Sequence, residues 1–228
     1  MPDQDQPLPE DDDLELIDCS SSEALPAWHG LSDPQVPRVA FGSPSAPLFA
    51  IALDALQDMI GHGSAEANRE VGGILLGQFM QVPQGPLTRV DDIIIADSAE
   101  ASLTHVTFTH ESWAEIHRQL DDRTDGLRIV GWYHTHPGFG PFLSGQDLFI
   151  QRNFFRHPLH LALVLDPVQR LFATFGWRDG EILKSTGCYV YGASEQGDEL
   201  QQLAQALKYA SDAPKPGLLT GLRGLLRH

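Results

Sequence analysis

Two histidines separated by one residue, His134 and His136, are the residues of this sequence best suited to bind a metal ion. Both belong to an apolar segment, residues 127–136, that predicts a β-strand. Alternate side chains of a strand project from one face, so we expect the two imidazoles to lie side by side while Thr135 points away. Zinc binds histidine nitrogen at about 2.0–2.1 Å, and an imidazole pair of this kind can chelate it.

The residues after this strand offer a third ligand. The loop 137–141, Pro-Gly-Phe-Gly-Pro, ends the strand, because proline cannot donate to the ladder and glycine permits a sharp turn. Ser144 then fits a helix N-cap, which puts Asp147 in the first helical turn, facing the strand end. Two imidazoles and a carboxylate would leave one tetrahedral position for water, as in a catalytic zinc site. The same residues also fit a plain helix cap beside packed histidines, and the segment contains no glutamate that could serve as a base.

The composition limits the class of protein. The chain has 228 residues, of which 42% are hydrophobic and 20% charged, and this favours one globular domain with tails. A formal charge of −16 argues against nucleic acid as a partner, because phosphate binding needs a basic surface. Without an apolar run of ~18 residues or a basic N-terminal region, we expect no membrane span and no secretory signal, and hence a cytoplasmic protein. Cys19 and Cys188 predict neither a disulfide framework nor a metal site.

Composition also divides the chain into three parts. Residues 1–36 contain an acidic cluster at 10–13 and few apolar residues, so we expect an acidic, disordered or loosely docked tail, in which Trp28 is able to dock. Residues 37–194 predict the folded domain. Residues 195–228 predict a polar helix to about Tyr209 and a basic amphipathic segment, 218–227, that docks on the domain or a partner rather than on a membrane.

The predicted elements of the domain mix strands and helices. The spacing of apolar residues predicts a helix from about Pro47 to Gly61 and another that starts at Thr109 as its N-cap, with a third running from Ser144 to about Phe155. The domain is expected to begin near residues 36–41, and strands are predicted at 71–77, 91–97, 104–108, 127–136, 159–165, 171–177 and 189–191. The paired glycines at 72 and 73 indicate the close approach of another backbone. This mixture predicts an α+β or α/β fold.

Two motifs resemble those of a known enzyme family. The stretch 131–147, Gly-Trp-Tyr-His-Thr-His-Pro-Gly-Phe-Gly-Pro-Phe-Leu-Ser-Gly-Gln-Asp, resembles the signature of the JAMM (MPN+) zinc metalloproteases, and 70–77, Glu-Val-Gly-Gly-Ile-Leu-Leu-Gly, resembles their second motif. The resemblance covers roughly residues 38–192 and is nearest to prokaryotic members related to the proteasome-lid deubiquitinase. It implies an α+β, cytidine-deaminase-like MPN fold, in which helices flank a central mixed, mostly antiparallel β-sheet.

The resemblance also implies a role for each motif residue. His134, His136 and Asp147 would bind one catalytic Zn²⁺ ion per chain, together with a water molecule. Glu70 would act as the general base, and Ser144 would stabilise the tetrahedral oxyanion. Zinc lowers the pKa of its water to about 7, and a neighbouring carboxylate can then transfer the proton, so these roles are chemically consistent. Outside the resemblance, nothing distinguishes Glu70 from a solvated charge.

At the level of function, the resemblance implies an isopeptidase or peptidase that removes ubiquitin or a ubiquitin-like modifier by cleaving after its C-terminal tail. The tail would lie extended beside the metal, as an added strand. The implied partners are a ubiquitin-like protein or its conjugate, with linked E1-like and E2-like enzymes. Two alternatives stay open: a peptidase that trims sulfur-carrier proteins or short peptides, and a non-catalytic MPN scaffold. The complete set of motif residues favours an enzyme over the scaffold.

Overall fold

The computed structural model describes residues 24–96, 100–101 and 106–210, and within them the chain forms twelve strands and four helices. The acidic cluster at 10–13, Cys19 and the amphipathic segment 218–227 lie outside the described residues. The helices are α1 (Leu53–Ala65), α2 (His110–Asp121), α3 (Gly145–Phe154) and α4 (Gly197–Ala206). The strands are β1 (Arg38–Gly42), β2 (Leu48–Ala52), β3 (Gly72–Val82), β4 (Gly85–Ile95), β5 (Glu100–Ala101), β6 (Val106–Thr107), β7 (Arg128–Thr135), β8 (Leu161–Asp166), β9 (Leu171–Arg178), β10 (Glu181–Lys184), β11 (Gly187–Tyr191) and β12 (Lys208–Tyr209).

One mixed sheet holds most of the strands, in the order β1-β11-β2-β4-β3-β7-β8-β9-β10, and β12 adds to β9. The pairs β1–β11, β3–β4, β3–β7, β8–β9 and β9–β10 are antiparallel, whereas β2–β4, β2–β11, β7–β8 and β9–β12 are parallel. The sheet curls strongly, and this brings strands together that are far apart in the strand order. The ring centroid of Phe41 in β1 lies 5.2 Å from that of Phe172 in β9. The short hairpin β5–β6 stands apart. The predicted α+β class with a central mixed sheet is confirmed.

Helices cover both faces of this sheet, because the central strands are apolar on both sides. On one face, α1 buries Leu53, Leu56 and Met59 against residues such as Leu75 and Leu163. The other face carries a second cluster that includes residues of α2 and α3, with Ile74, Leu76, Ile94, Ile116, Trp132, Ile150 and Val164. Neighbouring residues of one strand therefore belong to different cores. The strand β7 lies between β3 and β8, buried on both sides.

The expected close approach at the paired glycines is present at Gly73. A Cβ atom there would overlap the Ile94 carbonyl oxygen on β4 and the Tyr133 ring on β7. The same holds for Gly131, where a Cβ atom would overlap the Leu161 carbonyl oxygen. These glycines let β3, β7 and β8 pack closely at the centre of the sheet.

Two predicted helix boundaries were wrong. Residues 48–52 form β2 rather than the start of a helix, and α1 begins only at Leu53. The first four residues of β2 are buried, so this strand shows no alternation that would separate it from the following apolar helix pattern. The last helix ends at Ala206, not near Tyr209, because Lys208 and Tyr209 pair with β9 as β12. The strand predicted at 91–97 starts earlier, at Gly85.

The segment before β1 contacts the domain. Trp28 donates its backbone N–H to the Gln81 carbonyl oxygen at 3.0 Å, and its ring lies edge-on to Tyr191, with the centroids 5.2 Å apart. Arg89 lies over the same indole ring. Trp28 thus docks on the sheet, whereas the sequence favoured a solvated tail. None of the helices in the described ranges is long and apolar enough to cross a membrane.

Candidate metal centre

The end of β7 positions the two histidines. His134 and His136 share a face of the strand end, and both are buried. The backbone of His134 is fixed by the strands on either side, where it pairs with Gly72 of β3 and Val164 of β8. The Trp132 ring stacks on His134, with the centroids 4.6 Å apart and an interplanar angle of 12°. Because strand pairing and ring stacking hold this imidazole, little of its conformational freedom is left to lose when it binds a ligand.

A helix cap positions the carboxylate. Ser144 is the N-cap of α3, and its hydroxyl oxygen accepts the Asp147 N–H at 3.2 Å. In return, Asp147 Oδ2 accepts the Ser144 N–H at 2.6 Å, which completes a capping box. The expected cap is therefore present. It uses one carboxylate oxygen and directs the other, Oδ1, towards His134.

The distances between the ligand atoms fit one small cation. His134 Nε2 lies 3.1 Å from His136 Nε2, and Asp147 Oδ1 and Oδ2 lie 3.4 Å from His134 Nε2 and 3.6 Å from His136 Nε2, respectively. Tetrahedral ligands about 2.0–2.1 Å from a zinc ion are about 3.4 Å apart, close to the separation of the imidazoles and to that of each imidazole from one of the two Asp147 oxygens. The three residues thus form a buried His-His-Asp group that could hold a metal ion.

The electrostatics of the group suit a cation. Burial and the neighbouring His134 lower the pKa of His136 to about 4, so its ring is neutral at pH 7 and keeps a lone pair for a metal. Burial by itself raises the pKa of Asp147, but the His134 ring and the Ser144 hydrogen bonds outweigh burial, and the pKa lies well below its usual range. The group therefore presents a neutral His136 imidazole and an ionised Asp147 carboxylate, the forms of these groups that coordinate metals.

Glu70 lies at the same centre, although it is 64 residues before His134 in the chain. Its Oε1 atom is 3.7 Å from His136 Nε2, and its side chain is 7% exposed. Burial raises the pKa of Glu70 to about 7, with the Asp147 charge acting in the same direction and His134 against it. A cation at the His-His-Asp group would lower this pKa again. A carboxyl group that titrates near neutrality can both accept and return a proton.

Residues outside the predicted set hold this arrangement in place. Thr135 points to the opposite face, as expected, and its hydroxyl accepts the Val71 N–H at 3.0 Å while its own N–H donates to the Val71 carbonyl. This pair of bonds fixes the residue next to Glu70. Gln151, fully buried on α3, accepts the Trp132 indole N–H at 2.7 Å and so fixes the ring that stacks on His134. Gln151 lies one helical turn after Asp147, a spacing that could have predicted its inward position.

The loop after His136 borders the centre and exposes two aromatic rings. Phe139 is 71% and Phe142 is 47% exposed, and the Phe142 ring centroid is 4.5 Å from that of His136. The loop is held from below by the buried Asp166, whose oxygens accept the N–H groups of Gly138 and Gly140. Asp166 was missed in the sequence, where it looks like an ordinary turn residue.

Comparison with known proteins gives a family for this region. Residues 47–157 match the family model described as "JAB1/Mov34/MPN/PAD-1 ubiquitin protease". The matched region contains the whole centre described above, from Glu70 to Asp147.

Individual relatives are similar over the same region. Ubiquitin carboxyl-terminal hydrolase RPN11 of Saccharomyces cerevisiae is 31% identical over 120 residues, which are 52% of this chain and 38% of the yeast protein. COP9 signalosome complex subunit 5 of Eremothecium gossypii is 34% identical over 125 residues, 52% of this chain and 27% of that protein. The chain thus matches well under half the length of these relatives. Among solved structures, a protein of Desulfitobacterium hafniense is 16% identical, with a TM-score of 0.48 over 60% of this chain and 90% of that one.

Proposed function

The chain carries a JAB1/Mov34/MPN/PAD-1 domain in residues 47–157, and we propose that it is a zinc-dependent isopeptidase that removes a ubiquitin-like modifier by cleaving after the modifier's C-terminal tail. The observation that carries the proposal is the buried His134, His136 and Asp147 group, in which one ligand atom from each residue lies within 4.8 Å of the others. Three protein ligands leave one position open, as in catalytic rather than structural zinc sites.

Each residue of the centre has a distinct part in the proposed reaction. A bound zinc ion would polarise the scissile carbonyl group and lower the pKa of a water molecule to about 7. Glu70 would take the proton from the attacking water and pass it to the leaving amine, since its buried carboxyl group lies beside His136. Ser144 would donate its hydroxyl hydrogen to the oxyanion, because the cap uses only the oxygen of that hydroxyl as an acceptor.

The proposed substrate is a folded protein with an extended C-terminal tail. Relatives are named as a ubiquitin hydrolase and as subunits of the 26S proteasome and the COP9 signalosome, which supports a ubiquitin-like partner. An extended tail can reach a buried centre that a globular surface cannot. The exposed rings of Phe139 and Phe142, beside His136, offer apolar contacts to the residues that flank the cleaved bond. Linked E1-like and E2-like enzymes would supply the conjugate.

A substitution at Glu70 tests the enzyme proposal. We expect Glu70→Gln to bind zinc in the same 1:1 ratio as the wild type, measured by elemental analysis, and to lose activity by about 10²–10⁴-fold. Glu66→Gln is the matched control, because Glu66 belongs to the same segment but is exposed and pairs only with Arg69 among the described residues. We expect this control to keep wild-type activity. A metal-free wild-type protein would instead favour the scaffold alternative.

A substrate panel tests the specificity. The zinc-loaded protein is incubated with ubiquitin or another protein ending in Gly-Gly, joined by an isopeptide bond to a fluorescent lysine peptide, and with short peptides of the same tail sequence. We expect cleavage of the protein-linked substrates at a kcat/KM well above that of the peptides. Preference for the short peptides would support the peptidase alternative, and a zinc-loaded protein that cleaves neither would refute the proposal.

A further inference from the structure

Asp166 is a fully buried carboxylate that ends β8 and accepts four backbone hydrogen bonds. Two donors, the N–H groups of Val168 and Gln169, belong to the turn that follows Asp166, at 3.0 and 2.9 Å. The other two, Gly138 and Gly140, belong to the 137–141 loop, at 2.9 and 2.7 Å. A turn needs only the first pair, so the second pair is an additional connection between sequence-distant loops.

The four hydrogen bonds are distributed unequally between the two carboxylate oxygens of Asp166. Oδ1 accepts the N–H groups of Gly138, Val168 and Gln169, and so joins the loop to the turn. Oδ2 accepts only the Gly140 N–H. Both glycines have positive φ angles, 83° for Gly138 and 76° for Gly140, and these conformations turn their N–H groups towards the carboxylate. A side-chain bond from Gln169 to the Gly138 carbonyl, at 2.7 Å, reinforces the connection.

This loop leads directly from the candidate metal ligands. His136 donates its backbone N–H to the Leu165 carbonyl at 2.9 Å, one residue before Asp166. Phe139, between the two anchored glycines, donates its N–H to the His136 carbonyl at 3.2 Å. A shift of Gly140 would therefore displace Phe139 and, with it, the His136 backbone that carries the imidazole.

We propose that Asp166 is a positioning residue of the metal centre: it fixes the 137–141 loop, and through that loop it holds the His136 backbone and so the direction of the imidazole. Residues that orient metal-binding histidines without binding the metal themselves typically lower metal affinity or activity by about 10–100-fold when they are lost. The inference rests on the proposed function only in that His136 binds a metal ion, and it does not depend on which bond the enzyme cleaves.

The variant Asp166→Asn separates positioning from folding. An asparagine oxygen in the place of Oδ1 can keep three of the four bonds, so the turn and the Gly138 contact remain. Its amide group then faces the Gly140 N–H with a donor instead of an acceptor, and that one contact is lost. The effect of the substitution is thus directed at the loop that follows His136.

The test measures binding of cobalt(II) and zinc to the full chain, since the visible absorption bands of cobalt report the geometry of its ligands. We expect Asp166→Asn to bind zinc about tenfold more weakly than the wild type and to show altered cobalt bands. Gln169→Ala should change the zinc affinity and the cobalt bands in the same direction by a smaller amount. Val168→Ala is the control on the same turn, because its side chain is 60% exposed and its N–H bond to Asp166 remains.

The outcomes separate this inference from the proposed function. A folded Asp166→Asn protein with wild-type zinc affinity and cobalt bands would overturn the positioning role, even if its melting temperature fell. If that variant does not fold, Gln169→Ala decides, and wild-type bands in it would count against the role. A third outcome is that the wild type binds cobalt but cleaves no substrate, while Asp166→Asn shows altered cobalt bands. This outcome would refute the proposed hydrolysis and leave the positioning role standing. A wild type that binds no cobalt would refute the metal centre and this inference with it.

Discussion

Asp147 caps helix α3 through one carboxylate oxygen, and in the proposed metal centre it would also bind the cation. Oδ1 lies 3.4 Å from His134 Nε2, and Oδ2 accepts the Ser144 N–H of the helix cap at 2.6 Å. Asp147→Asn can keep the cap with its carbonyl oxygen, but it presents an amide nitrogen to His134 and cannot bind a cation. Asp147→Ala loses both functions. The two variants therefore compare metal binding with helix capping at one position.

The expected magnitudes follow from these contacts. Structural zinc sites with four ligands contribute about 10–16 kcal/mol of binding free energy, or roughly 3 kcal/mol per ligand. Loss of the Asp147 ligand should therefore weaken zinc binding by about two orders of magnitude in both variants. Loss of the cap costs about 1 kcal/mol more in Asp147→Ala alone. In a protein of this size, that difference lowers the melting temperature by about 2–4 °C.

The assay combines zinc titration in competition with a chromophoric chelator and thermal unfolding in excess EDTA. Asp147→Asn should bind zinc weakly and melt above Asp147→Ala in the metal-free buffer. Wild-type zinc affinity in Asp147→Asn would refute the assignment of this carboxylate as a ligand. Equal melting temperatures of the two variants in EDTA would refute the claim that Oδ2 stabilises the helix start.

Further predictions concern the scaffold around the centre. Gly131→Ala should lower the free energy of unfolding in urea by about 1–3 kcal/mol, because its Cβ would overlap the Leu161 carbonyl. By contrast, Gly61→Ala, on α1 with open space around it, should raise that free energy by about 0.5–1 kcal/mol. Thr109→Ala should cost about 1 kcal/mol, measured in the same way, by removing the N-cap bond of α2. Burial lowers the pKa of His160 to about 4. As the pH falls from about 6.5 towards 4, the unfolded chain binds a proton at this residue that the folded protein does not, so the free energy of unfolding should fall. His160→Asn should reduce that pH dependence of unfolding, and an unchanged slope would contradict this prediction.

The local parts of the centre were predictable because they depend on neighbouring residues in the chain. Strand alternation placed His134 and His136 on one face, and the N-cap pattern placed Asp147 at the helix start. Boundaries failed where burial removes alternation. The apolar strand β2 runs into α1 without a polar residue before Asp54, so a single helical pattern fits both. Lys208 and Tyr209 continue a helical composition, but pairing with β9 makes them a strand.

Glu70 shows the limit of sequence reasoning most clearly. Its place beside His136 follows from the pairing of β3 with β7, where Gly72 is opposite His134 and Val71 bonds to Thr135. Strand register across 64 residues is set by packing and by close glycine contacts, and apolar periodicity does not specify which two strands become neighbours. Only the resemblance to a family pointed to this residue beforehand.

The sequence by itself determined the types of the candidate ligands, their spacing on a strand and a capped helix, and a mixture of strands and helices, because these depend on local backbone geometry and on which residues are apolar. Tertiary structure decided which distant groups surround them: Glu70 just before β3, Gln151 beside Trp132, and Asp166 beneath the loop. The physical reason is that a buried polar group takes its partners from whichever strand or loop packs against it, and those neighbours are fixed only when the sheet forms.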